Sequence, residues 1–421
     1  MRYALVGFGL SNKYAAQFLR KIGEQVFVSE SGKLSQEDKE FLEELGIEYE
    51  EGQNSERILQ ADVVLTSPSV PYNHPLLMKA RESGIKVETE ITYFMRFLDW
   101  NPITIAITGS VGKSTTVAMT NHLISKTKTS QISGNFGIPI AQVLLENKRP
   151  EYLVIEISSF QLYWADYFKP KVAAITNIYP NHLDWHPSME HYVESKMKIT
   201  KWQDSEDYFV YNPRDLEMFK RLALVQAKRV PVTVGFSLDE VPFPIRTKQN
   251  IENIAMAKTI IKILGLPFQM SFLNDFTPLP HRMEYVTTWH DVRFYNDSKA
   301  TNAAAVIKAL ENFDSNVILI IAGKGKNEDY TELTEEIKKK CKFVALVGPI
   351  ADAIESYLVT REITFKRYEN IEKAVSDICL FAQPGDVVLL SPGGASYDRY
   401  RNFEERGEHF KSVVRSLVEQ M

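Results

Sequence analysis

Short β-branched runs that end in Gly, Ser or Asn recur along this chain, with helical stretches between many of them. The runs cover 3–6, 62–66, 103–108, 152–157, 172–177, 317–322, 343–347 and 386–391, and the helical stretches include 37–45, 115–125, 250–264 and 331–339. Strands alternating with helices bury their apolar faces by forming a parallel sheet covered by helices. The pattern therefore predicts α/β architecture, in which ligands sit outside the carboxyl ends of the strands. The loops after these runs are where chemistry is expected. No fixed-period repeat and no low-complexity segment interrupts the pattern.

A chain of 421 residues, at about 150 per domain, holds two or three domains. An apolar share of 44% with 24% charged residues is ordinary for a soluble globular protein. Asp99-Trp100-Asn101-Pro102 precedes a fresh strand, and the segment 274–280 carries two prolines that deny both helix and central strand. These breaks divide the chain into 1–100, 101–277 and 278–421. No apolar run approaches the roughly 18 residues of a spanning helix, so no membrane insertion is expected. The opening MRYALVGFGL reads as a strand broken by glycines rather than a signal peptide. The two cysteines, Cys341 and Cys379, stand in no metal or redox spacing, which excludes a disulfide scaffold and fits a reducing cytoplasm. A net charge of −5, from 49 basic and 54 acidic residues, argues against nucleic acid as a partner. Any anionic ligand must then be met by local features.

One such feature is Gly109-Ser110-Val111-Gly112-Lys113-Ser114-Thr115, between the run 103–108 and a helical stretch. Glycines let backbone N–H groups converge on phosphate oxygens, and a helix N-terminus adds favourable partial charge. Lys113 supplies a cation to β/γ-phosphates, and Ser114 or Thr115 a hydroxyl to Mg²⁺. The usual motif has a glycine where Ile107 stands, so this is the shortened form G-x-x-G-K-S-T. It predicts a nucleoside triphosphate and leaves the reaction open.

Gly7-Phe8-Gly9-Leu10-Ser11-Asn12, followed by Glu30, nearly spells a dinucleotide fingerprint. Asn12 replaces the third glycine. NAD(P), another nucleotide or phosphate ligand, and a purely structural turn all remain open at this point, with Ser67-Pro68-Ser69 expected on the same sheet edge. Further on, Glu156 ends an apolar run and is followed by Ser158-Ser159-Phe160-Gln161. A strand-end carboxylate near a phosphate loop is an oxygen ligand for Mg²⁺. His182 and His186 are four apart, but Pro180 and Pro187 bracket them and no third ligand is evident, so zinc is not expected. Lys196, Lys198 and Lys201 read, on composition alone, as a solvated basic face.

Taken together these motifs resemble the Mur ligase superfamily, which makes amide bonds at the expense of ATP. The resemblance rests on Gly109–Thr115, Glu156 with 158–161, 177–184, Asn250, His281-Arg282-Met283-Glu284 and Asn296-Asp297-Ser298-Lys299-Ala300-Thr301-Asn302. These span essentially the whole chain. Within the superfamily the chain looks most like the family that adds D-glutamate to UDP-N-acetylmuramoyl-L-alanine, on its opening glycine turn and on the segment 391–407. Two positions depart from that family: Gly393-Gly394 where Ala-Cys is more common, and Gly32 where an arginine is common.

The resemblance implies three domains: a Rossmann-like N-terminal domain for the UDP substrate, a central phosphate-loop domain for ATP, and a Rossmann-like C-terminal domain for the amino acid. It implies ATP contacts at Gly109–Thr115, Asn250, Arg282 and Asp297, with Lys299 near the developing acyl phosphate. Gly9, Leu10, Ser11, Glu30, Ser67, Asn135, Ser158 and Gln161 would bind the UDP substrate. Thr301, Lys326, Ser396 and Phe403 would serve D-glutamate. Two Mg²⁺ ions are implied, one on Ser114 or Thr115 with Glu156, the other on His182 and a carbamylated Lys196. The expected setting is cytoplasmic peptidoglycan precursor synthesis by a monomeric chain. Three rivals stand beside this reading, one of them a binding protein with a Mur-like fold and lost catalysis. A sister ligase would share the ATP machinery and take another amino acid, and a nicotinamide oxidoreductase would use 7–12 and leave 109–115 unexplained.

Overall fold

A computed structural model describes residues 1–242, 245–325 and 328–420. The chain folds into two compact units, one of 1–234 with 253–272, the other of 235–252 with 273–421.

The first unit contains two sheets. In the first, β1 (Arg2–Val6), β2 (Gln25–Glu30), β3 (Glu48–Glu51), β4 (Val63–Thr66) and β5 (Lys86–Glu88) pair in the order β3-β2-β1-β4-β5, all parallel. Helices α1 (Leu10–Lys21), α2 (Gln36–Glu44), α3 (Pro75–Glu82) and α4 (Glu90–Phe94) connect these strands or follow them. The chain steps from β1 to one side and returns to the other, so a crevice opens between the loops after β1 and β4. Asn12 explains how the turn does without its third glycine. It is buried, and its Nδ2 donates to the carbonyls of Gly7 at 2.7 Å and Leu65 at 3.4 Å, bonding the start of α1 to both strand ends.

The second sheet comprises β6 (Ile103–Thr108), β7 (Ser130–Gly134), β8 (Tyr152–Glu156), β9 (Val172–Ile175), β10 (Tyr208–Tyr211) and β11 (Lys228–Pro231), in the order β11-β10-β9-β6-β8-β7. Its helices are α5 (Lys113–Ile124), α6 (Ile140–Leu145), α7 (Ser159–Tyr163), α8 (Met189–Met197) and α9 (Leu216–Phe219), with α10 (Lys248–Ile263) following β11. Ile105, Ala106 and Ile107 of β6, like Val172–Ile175, are wholly buried. This is the continuous apolar run of a parallel strand covered on both faces.

The second unit holds β12 (Glu284–Trp289), β13 (Val292–Asn296), β14 (Val317–Ala322), β15 (Cys341–Val347), β16 (Phe365–Tyr368) and β17 (Val387–Gly393), ordered β12-β13-β17-β14-β15-β16. Around them lie α11 (Ala303–Leu310), α12 (Thr331–Lys340), α13 (Ile350–Thr360), α14 (Ile371–Phe381) and α15 (Phe403–Gln420). The expectation of parallel sheets holds except at one edge, where β12 and β13 run antiparallel. Their connection is a two-residue turn at His290 and Asp291, both at positive φ, too short for the crossover a parallel pair requires.

Candidate active site

The loop between β6 and α5 is built as a phosphate cradle. Gly109 (φ +146°) and Gly112 (φ +85°) occupy conformations that side chains resist. A Cβ on Gly109 would stand 2.0 Å from Thr176 Oγ1 and 3.0 Å from the Thr176 backbone nitrogen, and one on Gly112 would stand 2.5 Å from Asn253 Oδ1. The loop after β9 holds the cradle from outside. Ser110 N–H donates to the Asn177 carbonyl and Val111 N–H to Asn177 Oδ1, each at 2.9 Å. Thr176 Oγ1 and Asn177 Nδ2 donate in return to the Val111 carbonyl, at 2.7 and 3.0 Å.

Cations and a carboxylate converge on this loop. Lys113 Nζ donates to the carbonyls of Gly109 at 3.0 Å and Ser110 at 3.2 Å. Glu156 accepts the Ser114 hydroxyl on one oxygen and Asn135 Nδ2, at 2.7 Å, on the other. Thr115 is half-buried beside them. Lys196 is not on a solvated face, as composition alone would have it. It is 2% exposed, donates to the Gly109 carbonyl at 2.8 Å and lies over the Tyr192 ring at 4.5 Å. Burial, and then the charge of Lys113, lower its pKa well below that of an ordinary lysine, and Glu156 opposes them. Lys198 departs from the same reading, with burial the chief cause of a pKa of about 8. His182 sits in a turn at φ +57° with its ring edge-on to Phe160, and His186 is bonded to Ser159 and His191 at 2.9 and 2.8 Å.

The donor set suits a hard divalent cation. A carboxylate and a hydroxyl beside a phosphate cradle leave the remaining positions to phosphate oxygens and water, the arrangement Mg²⁺ favours.

At the first sheet's crevice, Gly9 caps α1 without a side-chain bond, Leu10 is exposed and Ser11 half-buried. Glu30 accepts the N–H groups of Phe8 and Gly32, both at 2.8 Å, and Ser67 pairs with Ser69 at 3.0 Å. Ser158 and Gln161 form a capping box at the start of α7. Gly9, Leu10, Ser11, Ser67 and Gln161 line one cavity there, whereas Asn135 and Ser158 are not among its lining residues.

In the second unit, strand ends gather another group. Asp297 follows β13, buried, accepting Met283 N–H at 3.0 Å and the Ser391 hydroxyl at 3.1 Å, and burial pushes its carboxyl up to about 7. The charge of Arg282 opposes that rise. Lys299 Nζ lies 3.7 Å from the centre of the Phe403 ring. Ser396 is buried, Thr301 is half-buried, and Asn250 donates to the Ile245 carbonyl at 3.0 Å. Lys326 lies outside the described residues. Sequence reasoning missed Arg406, 1% exposed, whose guanidinium ties together the loops after β13, β14 and β17. It also missed Asn253, which accepts the Thr116 hydroxyl at 3.2 Å behind the phosphate loop. Arg406 lies within the 391–407 segment that carried the resemblance, but backbone acceptors leave no trace in a sequence.

Three α/β sheets, with a phosphate loop on the second, are the arrangement expected of a three-domain Mur ligase. Comparison with known proteins agrees: the MurD N-terminal domain matches residues 2–74, the Mur ligase middle domain 107–274, and the Mur ligase glutamate ligase domain 281–394. A UDP-N-acetylmuramoylalanine–D-glutamate ligase from Fervidobacterium nodosum is 72% identical over 419 residues, covering 100% of both chains. One from Thermosipho africanus is 52% identical, covering 100% of this chain and 99% of its own. The chain belongs to the UDP-N-acetylmuramoylalanine–D-glutamate ligase family. Its fold is shared with the MurF ligase of Thermotoga maritima, solved in complex with ADP, at a TM-score of 0.63 and 15% identity, covering 94% of this chain and 96% of that one.

Proposed function

We propose that this chain joins D-glutamate to UDP-N-acetylmuramoyl-L-alanine with ATP as the energy source, releasing ADP and phosphate, in cytoplasmic peptidoglycan precursor synthesis. Ligases of this superfamily use ATP, and the observation that carries the reading here is the convergence of Lys113, Lys196, Glu156 and Ser114 on one phosphate cradle. No helix among the described residues is long and apolar enough to cross a membrane. In this reading residues 1–100 hold the UDP substrate, 101–277 the ATP, and 278–421 the amino acid, in a monomeric chain.

The physical problem is to bring an alanine carboxylate up to an anionic γ-phosphate. Lys113 concentrates positive charge on the β/γ oxygens, and the loop N–H groups add fixed dipoles that need no reorganisation. Ser114 or Thr115 with Glu156 would hold one Mg²⁺, and His182 with Lys196 the second; the ions supply further charge at the phosphate oxygens. A bare ammonium would repel a cation. The dry position of Lys196 beside Lys113 favours a neutral amine, which can take up CO₂ and become a carbamate, an oxygen ligand. The carboxylate attacks the γ-phosphorus, the bond to ADP breaks, and an acyl phosphate forms. The amine of D-glutamate then attacks the acyl carbon, a tetrahedral intermediate collapses, phosphate leaves with its electron pair and the amine loses a proton. Arg282, Asn250 and Asp297 would position ATP, Lys299 would meet the acyl phosphate, and Thr301, Lys326, Ser396 and Phe403 would position D-glutamate.

ADP release is the test, measured with ATP, Mg²⁺ and UDP-N-acetylmuramoyl-L-alanine and with D-glutamate, L-glutamate, lysine or diaminopimelate supplied separately. Release that depends on D-glutamate alone is expected. Release with another of these amino acids would keep the ligase mechanism and overturn the acceptor.

A further inference from the structure

The cavity at the first sheet's crevice, about 110 Å³, has a wall the family motifs do not touch. Besides Gly9, Ser11 and Ser67, its lining includes Thr89 and Glu90 at the junction of β5 and α4. Both are almost wholly buried, at 1% and 2% exposure. Glu90 Oε1 accepts the Ala141 N–H at 2.6 Å, supplying the first turn of α6 with an acceptor that its N-cap, Pro139, does not offer. Glu90 Oε2 and Thr89 Oγ1 have no hydrogen-bond partner among the described residues. Leaving a buried polar atom unmet is unfavourable, and two such atoms on residues that line one cavity are suited to a ligand that completes them.

We propose that Glu90 carries a proton and, with the Thr89 hydroxyl, donates hydrogen bonds to an anionic oxygen of the sugar nucleotide's diphosphate in this cavity. The inference rests on reading this crevice as the UDP-substrate site and adds a specificity determinant to it. The start of α1 lines the same cavity, and its uncapped N–H groups and helix dipole favour an anion. An ionised carboxylate facing that anion would repel it; a carboxylic acid donates through its O–H.

The surroundings keep the acid neutral. Among the elements packed on α4, α1 carries Lys13, Tyr14, Arg20 and Lys21, α7 carries Tyr163, and the turn at 95–97 carries Arg96. Strand β4 and helix α6 carry no titratable group. The adjoining β5 adds Lys86, paired with Asp166 at 3.1 Å, and Glu88, paired with Arg96 at 2.7 Å, while Tyr93 of α4 itself is bonded to Tyr3 at 2.9 Å. Burial dominates, opposed by the N–H groups of Ala141 and Ile140, and pushes the carboxyl up to about 8.

Binding favours the protonated acid, so affinity is full below pH 8 and falls above it, by up to roughly tenfold per pH unit. The experiment is titration calorimetry with UDP-N-acetylmuramoyl-L-alanine from pH 6 to 9.5 on the full chain and on Glu90→Gln. The amide keeps the acceptor for Ala141 and replaces the acidic O–H by an N–H donor that does not titrate, so its affinity should lose the fall above pH 8. A wild-type affinity that stays flat to pH 9.5, or a Glu90→Gln variant that keeps the same fall, overturns the proposal. Thr89→Val is the second variant, expected to bind roughly three- to tenfold more weakly with the pH dependence intact; unchanged affinity counts against it. Ser11→Trp, which fills the cavity, separates the two layers. If it leaves affinity unchanged, the nucleotide lies elsewhere and the site reading itself fails.

Discussion

Arg406 offers a quantitative test of how the second unit's strand-end loops are held. Its guanidinium is buried and bonds to no carboxylate among the described residues; it donates instead to Ser298 Oγ at 3.0 Å, the Ser298 carbonyl at 2.9 Å and the Gly394 carbonyl at 3.0 Å, with the Ala322 carbonyl at 3.4 Å. Replacing it by leucine strands three well-placed acceptors in a dry interior, at about 2 kcal/mol each, a gross cost of about 6 kcal/mol. Against this stands the burial of the charge, which lowers the guanidinium from its ordinary value to about 10. That shift corresponds to about 3 kcal/mol, which leucine does not incur. The net expectation for Arg406→Leu is a loss of about 3 kcal/mol, or a fall of roughly 6–12 °C in the melting of this unit, read by scanning calorimetry. Arg406→Lys should lose at least as much, because an ammonium keeps the burial cost without the planar fork. A leucine variant as stable as wild type, or more so, would show that burial of the charge cancels the loop bonds and would refute the assignment of Arg406 as their clamp.

Three further substitutions separate the parts of the proposed machinery. Lys113→Ala should abolish ADP formation; retained turnover would remove the phosphate-loop assignment. Gly109→Ala drives a Cβ against Thr176 and should lower turnover by on the order of a hundredfold through misplacement of the loop. Equal activity would mean the loop relaxes freely. Lys326→Ala should raise the KM for D-glutamate by roughly tenfold or more, the loss of a charge-assisted hydrogen bond, and leave that for ATP unchanged. A parallel rise for ATP would contradict the division of labour in the second unit.

The core strands were legible because burial on both faces leaves an unbroken apolar run, as in β6 and β14. Strand β12, Glu-Tyr-Val-Thr-Thr-Trp, was not: it lies at an edge, half-exposed along its length, and shows no such run. The strand-to-helix turn at 109–115 was legible because its glycines answer to local geometry, Gly109 and Gly112 both standing at positive φ. Lys196 could not. Its pattern is that of a surface helix, and only the loop at Gly109, 87 residues away in sequence, makes it a buried amine. Glu90 escaped for a related reason, since an acid in an apolar segment gains meaning only when Ala141 and the cavity are brought against it. Asn12 read as a defect in a glycine motif, and the fold turns it into three carbonyl-directed bonds.

In the proposed reaction the γ-phosphoryl group passes through the substrate's carboxylate on its way to free phosphate. Its most direct test uses UDP-N-acetylmuramoyl-L-alanine labelled with ¹⁸O in the alanine carboxylate, turned over with ATP and D-glutamate, with the released phosphate and the dipeptide product weighed by mass spectrometry. One labelled oxygen is expected in each phosphate released and one retained in the new amide. Phosphate free of label, alongside a D-glutamate adduct, would contradict the acyl phosphate route.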